Sequence, residues 1–388
     1  MTIAAVAFGS RPLGVAGIGL LLAAAAARAW AGLAQGPARV THESRPAPVS
    51  EGERVRLVVT ADRASRIPVG SATVRGSLGR LGEYVCRLQG RGRGMTGSVD
   101  LGRVPRGLFT FSDVRLVLGD HLGLESVSIP QEARTTLVVH PRIVELRALF
   151  NDPGRVGGDG RRLLLRRPAG FDFHSVREYE QGESLRRVHW PTTARRGQLM
   201  VKELEDSPQD SVVVLLDCSP AGAVGTPPRS SFDDAVRAAG SVLRAYAARG
   251  RRAALVATGA DRATVSVRTL EGDFRAALDV LAAAEPTATD GLARALRTQR
   301  SQLAHAGELV VVTALPDASA VEALVAACAR RLVSVVWIDA PSYAGIPTRA
   351  APGVLRLAAA GVPVAAVRSG DDLARALDPP LEKVAARA

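Results

Sequence analysis

The sequence predicts an α/β chain in which an N-terminal membrane helix and a small antiparallel β-sandwich precede a doubly wound, mostly parallel sheet. Three observations carry this reading. An uncharged run lies near the N-terminus, period-two patterning extends from about Arg39 to Arg147, and after Ser211 strand-like apolar runs alternate with helical periodicity. At 388 residues and 47% hydrophobic, the chain has room for two or three domains and is too apolar to be disordered.

Pro12 to Ala34 reads PLGVAGIGLLLAAAAARAWAGLA. Fifteen uncharged residues run from Leu13 to Ala27. Arg28 can then snorkel and Trp30 suits a membrane interface, so the segment is long enough to span a bilayer. A membrane anchor is the favoured reading of residues 1–36. A cleaved signal peptide with Arg11 in its n-region, and a helical hairpin shortened at Ser10-Arg11-Pro12, are the alternatives. Arg28, Arg39 and Arg45 on the body side, against Arg11 on the other, favour a cell-membrane protein with its soluble domains in the cytoplasm.

Residues 39–147 carry the sandwich, of immunoglobulin-like type. Arg54 to Thr60, Ala72 to Gly76, Leu108 to Leu118 and Thr135 to Val139 read as short strands separated by turn residues. Asp120, His121 and Gly123 read as a turn rather than a site.

Residues 211–388 carry the alternating module. SVVVLL at Ser211 to Leu216 is apolar throughout, as a strand buried on both faces requires. Phe232 to Ala248 follows as a helix, with Ala235, Ala238, Ala239, Val242, Leu243 and Tyr246 on one stripe. Strands at Ala253–Thr258, Thr264–Thr269, Leu309–Thr313, Val333–Ile338 and Val362–Val367 alternate with helices at Phe274–Ala284, Gly291–Leu303, Ala320–Ala329 and Asp371–Leu377. Ligands of such sheets lie beyond the carboxyl ends of the strands, where Asp217, Ser219 and Thr313 fall. An Asp-x-Ser there can offer oxygens to a hard cation; it can equally cap a turn.

The net charge of +12 invites a nucleic-acid reading, but only Lys202 and Lys383 are lysine and the arginine excess is spread along the chain. Between Arg161 and Asp206, ten basic residues are interleaved with seven acidic ones, which a phosphate-binding stripe would not carry. No nucleic-acid partner is expected. Cys86, Cys218 and Cys328 are far apart and form no C-x-x-C pair, and the six histidines show no ligand spacing. Nucleotide-binding glycine motifs and nucleophile elbows are absent from the sequence.

Between the two modules, residues 148–210 form a connector of different character. Gly170, Phe173, Ser175, Arg177, Tyr179, Gly182, Glu183, Arg186, Val188, Trp190, Thr193, Ala194, Arg195, Leu199 and Val201 stand there in a fixed spacing. This pattern resembles the signature of the domain of unknown function 58 (DUF58) family. The resemblance implies a von Willebrand factor A-like domain for the alternating module. It also implies inner-membrane placement and a MoxR-type AAA+ ATPase as candidate protein partner. Arg177, Tyr179, Gly182, Glu183, Arg186, Trp190, Ala194 and Arg195 are read as a partner surface or a structural clasp of arginine forks and aromatic faces, with no catalytic residue. The family's fold further implies a metal-ion-dependent adhesion site at Asp217 and Ser219, with Thr289 as the threonine. Ala221 replaces the third ligand, so only weak magnesium binding, and no other cofactor, is expected. The function read from the sequence is a membrane-anchored interaction or assembly factor, and its alternative is a divalent-metal-assisted hydrolase centred on Asp217 and Ser219.

Overall fold

A computed structural model describes residues 11–90, 93–132, 135–152, 173–178, 188–204, 211–260, 262–270, 272–298, 306–347 and 351–378. The chain divides into two units, Met1–Arg142 and Ile143–Ala388. The fold is mixed α/β, with several sheets and an apolar N-terminal helix.

In the first unit, helix α1 (Arg11–Ala34) is long and apolar enough to cross a membrane. Its first four turns expose Val15, Ile18, Leu20, Leu21 and Leu22, whereas Ala27, Ala31 and Ala34 are buried. These three alanines lie four and three residues apart, on one helix face. The Trp30 indole donates from Nε1 to the Pro68 carbonyl at 2.9 Å and packs against the sandwich core.

The chain then forms β1 (Ala38–Arg45), β2 (Val49–Ser50), β3 (Arg54–Arg63), β4 (Ser71–Leu78), β5 (Glu83–Arg87), β6 (Gly94–Arg103), β7 (Gly107–Gly119), β8 (Ser126–Pro130) and β9 (Thr136–His140). One sheet has the order β1-β3-β6 and is antiparallel throughout. The other has the order β2-β9-β7-β4-β5, with β8 also paired to β7. Alternation buries Val55, Leu57, Val59 and Ala61 of β3 and leaves Arg54 and Arg56 exposed. Four of these strands follow the sequence pattern. β1 escaped it because its polar residues outnumber the apolar ones, as in ARVTHESR, β6 because three glycines interrupt it, and β2, β5 and β8 because they are only two to five residues long.

An aromatic cluster joins β1, β5 and β7. His42 stacks on Phe111 with ring centroids 4.2 Å apart, and its Nε2 lies 2.6 Å from the Tyr84 hydroxyl. Gly76 makes room for that tyrosine, since a Cβ there would meet the ring at 2.8 Å. Burial lowers the His42 pKa to about 4 and raises that of Tyr84.

The second unit carries β10 (Phe173–Glu178), α2 (Trp190–Arg196), β11 (Met200–Leu204), β12 (Ser211–Leu216), α3 (Ser231–Ala248), β13 (Arg252–Ala257), β14 (Ala263–Val267), α4 (Asp273–Ala283), α5 (Leu292–Thr298), β15 (Glu308–Thr313), α6 (Ala318–Cys328), β16 (Leu332–Ile338), α7 (Pro352–Ala359), β17 (Val364–Val367) and α8 (Leu373–Leu377). Its main sheet has the order β14-β13-β12-β15-β16-β17. All neighbours are parallel except edge strand β14, which runs antiparallel to β13. Val212, Val214 and Leu216 of β12 share a core with α3, α4 and α8. Val213 and Leu215 point the other way, into a core with α5, α6 and α7. This two-sided burial is why β12 and β15 carry unbroken apolar runs, and β16 one interrupted only at Ser334.

Ser230 and Asp233 close a reciprocal capping box at the start of α3. The segment from Ile143 to Asp152 crosses α3, with Val144 N donating to Ser241 Oγ at 3.1 Å. Leu149 and Phe150 join the helix-side core. Asn151 Nδ2 lies 2.8 Å from both the Tyr246 hydroxyl and Glu308 Oε1, beneath the amino end of β15. Arg251 Nη1 donates to Glu308 Oε2 at 2.6 Å.

His42 gives the sandwich a pH response. Unfolded histidine takes up a proton near pH 6.5 and the folded ring resists until about pH 4. The stabilisation from neutral His42 is therefore complete above pH 6.5 and is lost as pH falls towards 4. Thermal unfolding of the detergent-solubilised chain between pH 7 and 4 should show a shallower decline in His42→Phe than in the parent; equal slopes would contradict this assignment.

Candidate functional site

The chain order of the main sheet reverses between β12 and β15, the place where open α/β sheets bind ligands at the carboxyl ends of their strands. Asp217 follows β12 directly, and Thr313 ends β15. Thr313 Oγ1 donates to Asp217 Oδ2 at 2.7 Å. Ser219 donates to Asp217 Oδ1 from both its backbone nitrogen, at 3.0 Å, and its hydroxyl, at 2.6 Å. Asp217 is thus a buried carboxylate whose two oxygens are both engaged, and Thr313 is fully buried. Ser219 forms the turn cap with Asp217 that its spacing allows.

The neighbouring strand ends extend this polar rim. Thr258, after β13, accepts from Cys218 N at 2.9 Å. Asp339, after β16, is buried, with Arg368 Nε 3.6 Å from its Oδ2. Burial pushes the Cys218 thiol up to about 11, so at neutral pH it is an inert thiol. Thr289 is exposed on the adjoining loop, which is tied to the first by Ala288 N donating to the Cys218 carbonyl at 3.0 Å. The structure therefore gathers Asp217, Ser219 and Thr313, and sets Thr289 beside them without a bond to the carboxylate. Thr258 and Asp339 were not singled out from the sequence. The signal was nevertheless there, since LLD, VAT, VVT and WID each end an apolar strand on Asp or Thr.

These donors fit a cation only in part. One carboxylate and the two hydroxyls of Ser219 and Thr313 provide oxygen, the hydroxyl protons are spent on Asp217, and Ala221 supplies no side-chain donor. Among the described residues, no group of three or more His, Cys, Asp or Glu side chains is placed to hold a metal.

The connector contributes a second feature. β10 and β11 pair antiparallel, with Arg177 opposite Val201 and Glu178 opposite Met200. Before β11 comes α2, whose first turn is fixed by His189 Nδ1 at 2.7 Å from Thr192 Oγ1. Its end is fixed by Gly197 in the left-handed region, at φ 70°. His189 N donates to the Met200 carbonyl at 2.7 Å, and Met200 N donates to Thr193 Oγ1 at 3.0 Å, so helix and strand are clipped together. Val188 and Met200 are buried beneath this clip. Trp190 is 63% exposed, and Ala194, Arg195 and Arg196 are also exposed. Trp190, Ala194 and Arg195 therefore form no buried clasp: a seven-residue helix held at its ends turns them outward, and Val188 and Met200 do the packing. Tyr179, Gly182, Glu183 and Arg186 lie outside the described residues.

Replacing Thr313 by valine keeps its volume and removes the one donor to Asp217 Oδ2 among the described residues. Thr313→Val should lower urea-unfolding stability by about 1–3 kcal/mol, the cost of a buried acceptor left unpaired. Ser219→Ala should cost less, because Ser219 N still bonds Oδ1. A Thr313→Val chain as stable as the parent would contradict this geometry.

Comparison with known proteins follows the same residues. The family model for "Protein of unknown function DUF58" matches residues 175–361, from the signature hairpin through most of the six-stranded sheet. The chain is 29% identical over 227 residues to the uncharacterized protein YeaD of Bacillus subtilis (strain 168). That match takes in 58% of this chain and 55% of the relative, so the chain spans about half the length of the curated protein it resembles. The signature clip and the strand-end cluster both lie inside the matched region, so residues 175–361 carry the match to the DUF58 family.

Proposed function

We propose that this DUF58 chain is a membrane-anchored protein-interaction or assembly factor, working in the cytoplasm with a MoxR-type AAA+ ATPase and breaking no bonds itself. The single observation that carries this is Trp190. A tryptophan 63% exposed on a helix clipped at both ends, with Arg195 and Arg196 exposed on the same helix, has the composition of a binding hot spot. Rigid presentation lowers the ordering cost of association. A von Willebrand factor A-type domain is supported by the strand order, the antiparallel edge strand and the Asp217-x-Ser219 turn at the reversal point. Anchoring is supported by α1, whose last two turns bury one face and pack Trp30 against the sandwich core. Arginines 28, 39 and 45 on the body side favour the cytoplasmic orientation.

The anchored chain in detergent should retain a MoxR-type ATPase in at least one nucleotide state. Trp190→Ala should weaken capture about tenfold or more, as a hot-spot truncation does. Because Trp190 is exposed, the variant's unfolding should stay within about 0.5 kcal/mol of the parent. Failure to retain the ATPase in any nucleotide state would contradict the partnership.

The oxygen cluster at Asp217 favours a second reading, a hydrolase using a hydrated magnesium ion held by Asp217 and Ser219 with Thr289 nearby. When bound, such an ion would polarise a substrate oxygen. With one carboxylate in the set, calorimetric titration with magnesium or manganese should show no saturation below the millimolar range. Tight binding abolished by Asp217→Asn would favour the hydrolase instead.

A further inference from the structure

The end of the sandwich that receives α1 carries a feature that anchoring alone does not require. Along α1, Arg28 Nη1 meets Glu125 Oε1 at 3.6 Å, Trp30 then bonds Pro68, and the Leu33 carbonyl accepts from Ser65 Oγ at 3.4 Å. The loop ending at Glu125 is therefore level with Arg28, the first charge after the apolar run and the residue of these contacts nearest the exposed turns of the helix. Between Arg11 and Arg28 lie sixteen uncharged residues. As helix they span about 24 Å, short of the roughly 30 Å hydrocarbon thickness of a bilayer. A short span is accommodated by drawing its flanks into the interface.

The loop at this level reads GDHLGLE. Leu122 is 67% exposed and Leu124 55% exposed. They are held outward by a rigid turn. Asp120 accepts from Leu122 N at 3.2 Å and from Glu125 N at 3.0 Å, and Asp120 N bonds the Glu125 carbonyl at 3.1 Å. Gly70, next to Arg66's loop, bonds Gly119 at 2.9 Å, and a Cβ there would lie 2.3 Å from the Asp120 carbonyl oxygen. Arg66 is exposed on that adjoining loop, suited to lipid phosphates.

We infer that the loop from Asp120 to Glu125 is a second membrane contact, inserting Leu122 and Leu124 into the interfacial region of the same bilayer that α1 crosses. The inference rests on the anchored reading. The occupant is the bilayer because the leucines flank the point where the apolar helix becomes part of the folded unit. A folded turn there needs no conformational change to reach lipid, and two adjoining leucines with an arginine beside them match an interfacial contact.

The test uses the full chain in lipid nanodiscs on a Cys328→Ser background, since Cys86 and Cys218 are buried. An environment-sensitive fluorophore is placed in turn at Leu122→Cys, Leu124→Cys, Val15→Cys and Glu83→Cys, and quenching by shallow and deep brominated phospholipids is read. Glu83 is paired with Ser77, about 20 Å along β4 from Ser71 and the helix-bearing end. The inference expects deep quenching at Val15, shallow quenching at Leu122 and Leu124, and none at Glu83. Quenching at Val15 with Leu122 and Leu124 as silent as Glu83 overturns the loop contact and leaves the anchor standing. Silence at all four sites overturns both.

Discussion

The first unit depends on the packing of three alanines. Ala27, Ala31 and Ala34 bury one face of the last two turns of α1, whose Arg28 and Leu33 stay exposed, and Trp30 packs its ring against the sandwich core. Small side chains let the helix backbone approach closely. The same helix is bare over its first four turns, where Val15 and Leu20 to Leu22 are exposed. A helix serving only as a removable leader would have no reason to supply part of the core. Cleavage within or after these turns would uncover apolar surface and leave the Pro68 carbonyl without its indole donor. Retention of the helix is the economical explanation of its one-sided burial, and under the proposed anchoring the membrane bounds the loops around Arg28.

The second unit answers to a different constraint. A parallel sheet covered on both faces leaves its strand ends as the places where polar groups can gather. At the amino end of β15, Glu308 is satisfied by Tyr246, Asn151 and Arg251. This knits the chain from Ile143 to Asp152 onto the helix-side core. At the carboxyl ends, Asp217 is satisfied by Ser219 and Thr313. The two clusters resemble one another in chemistry but not in position. Both lie on the β12–β15 pair where chain order reverses, but only the second is at the carboxyl ends of the strands, which is the reason to regard it as a ligand-facing edge and the first as structural. The exposed Trp190 helix supplies what neither cluster offers, a rigid aromatic surface.

Much of this was legible in the sequence where one physical signal dominated. Buried parallel strands announce themselves, and SVVVLL and LVVVT fall within β12 and β15. Half-buried strands did so where apolar residues dominate or alternate cleanly, as in β3 and β9; β1, rich in charged and polar residues, and β6, interrupted by glycines, did not. Helix α7 was missed because PGVLRLAA begins with the two residues that usually break helices, although proline is favoured in a first turn. The Asp217–Ser219 turn followed from spacing, whereas Thr313 joined it through a strand pairing 96 residues away, which no local pattern encodes. The connector was read as a partner surface or a structural clasp, because arginine and tryptophan suit both. Burial is decided by which neighbours exist, and among the described residues those that hold α2 are Thr193 and Met200.

The central claim is that α1 is a retained part of the first unit. Intact-mass measurement on the chain extracted from membranes tests this most directly. The account predicts a species that still contains residues 11–34. A membrane- or culture-derived species whose mass begins beyond Ala34 would contradict it.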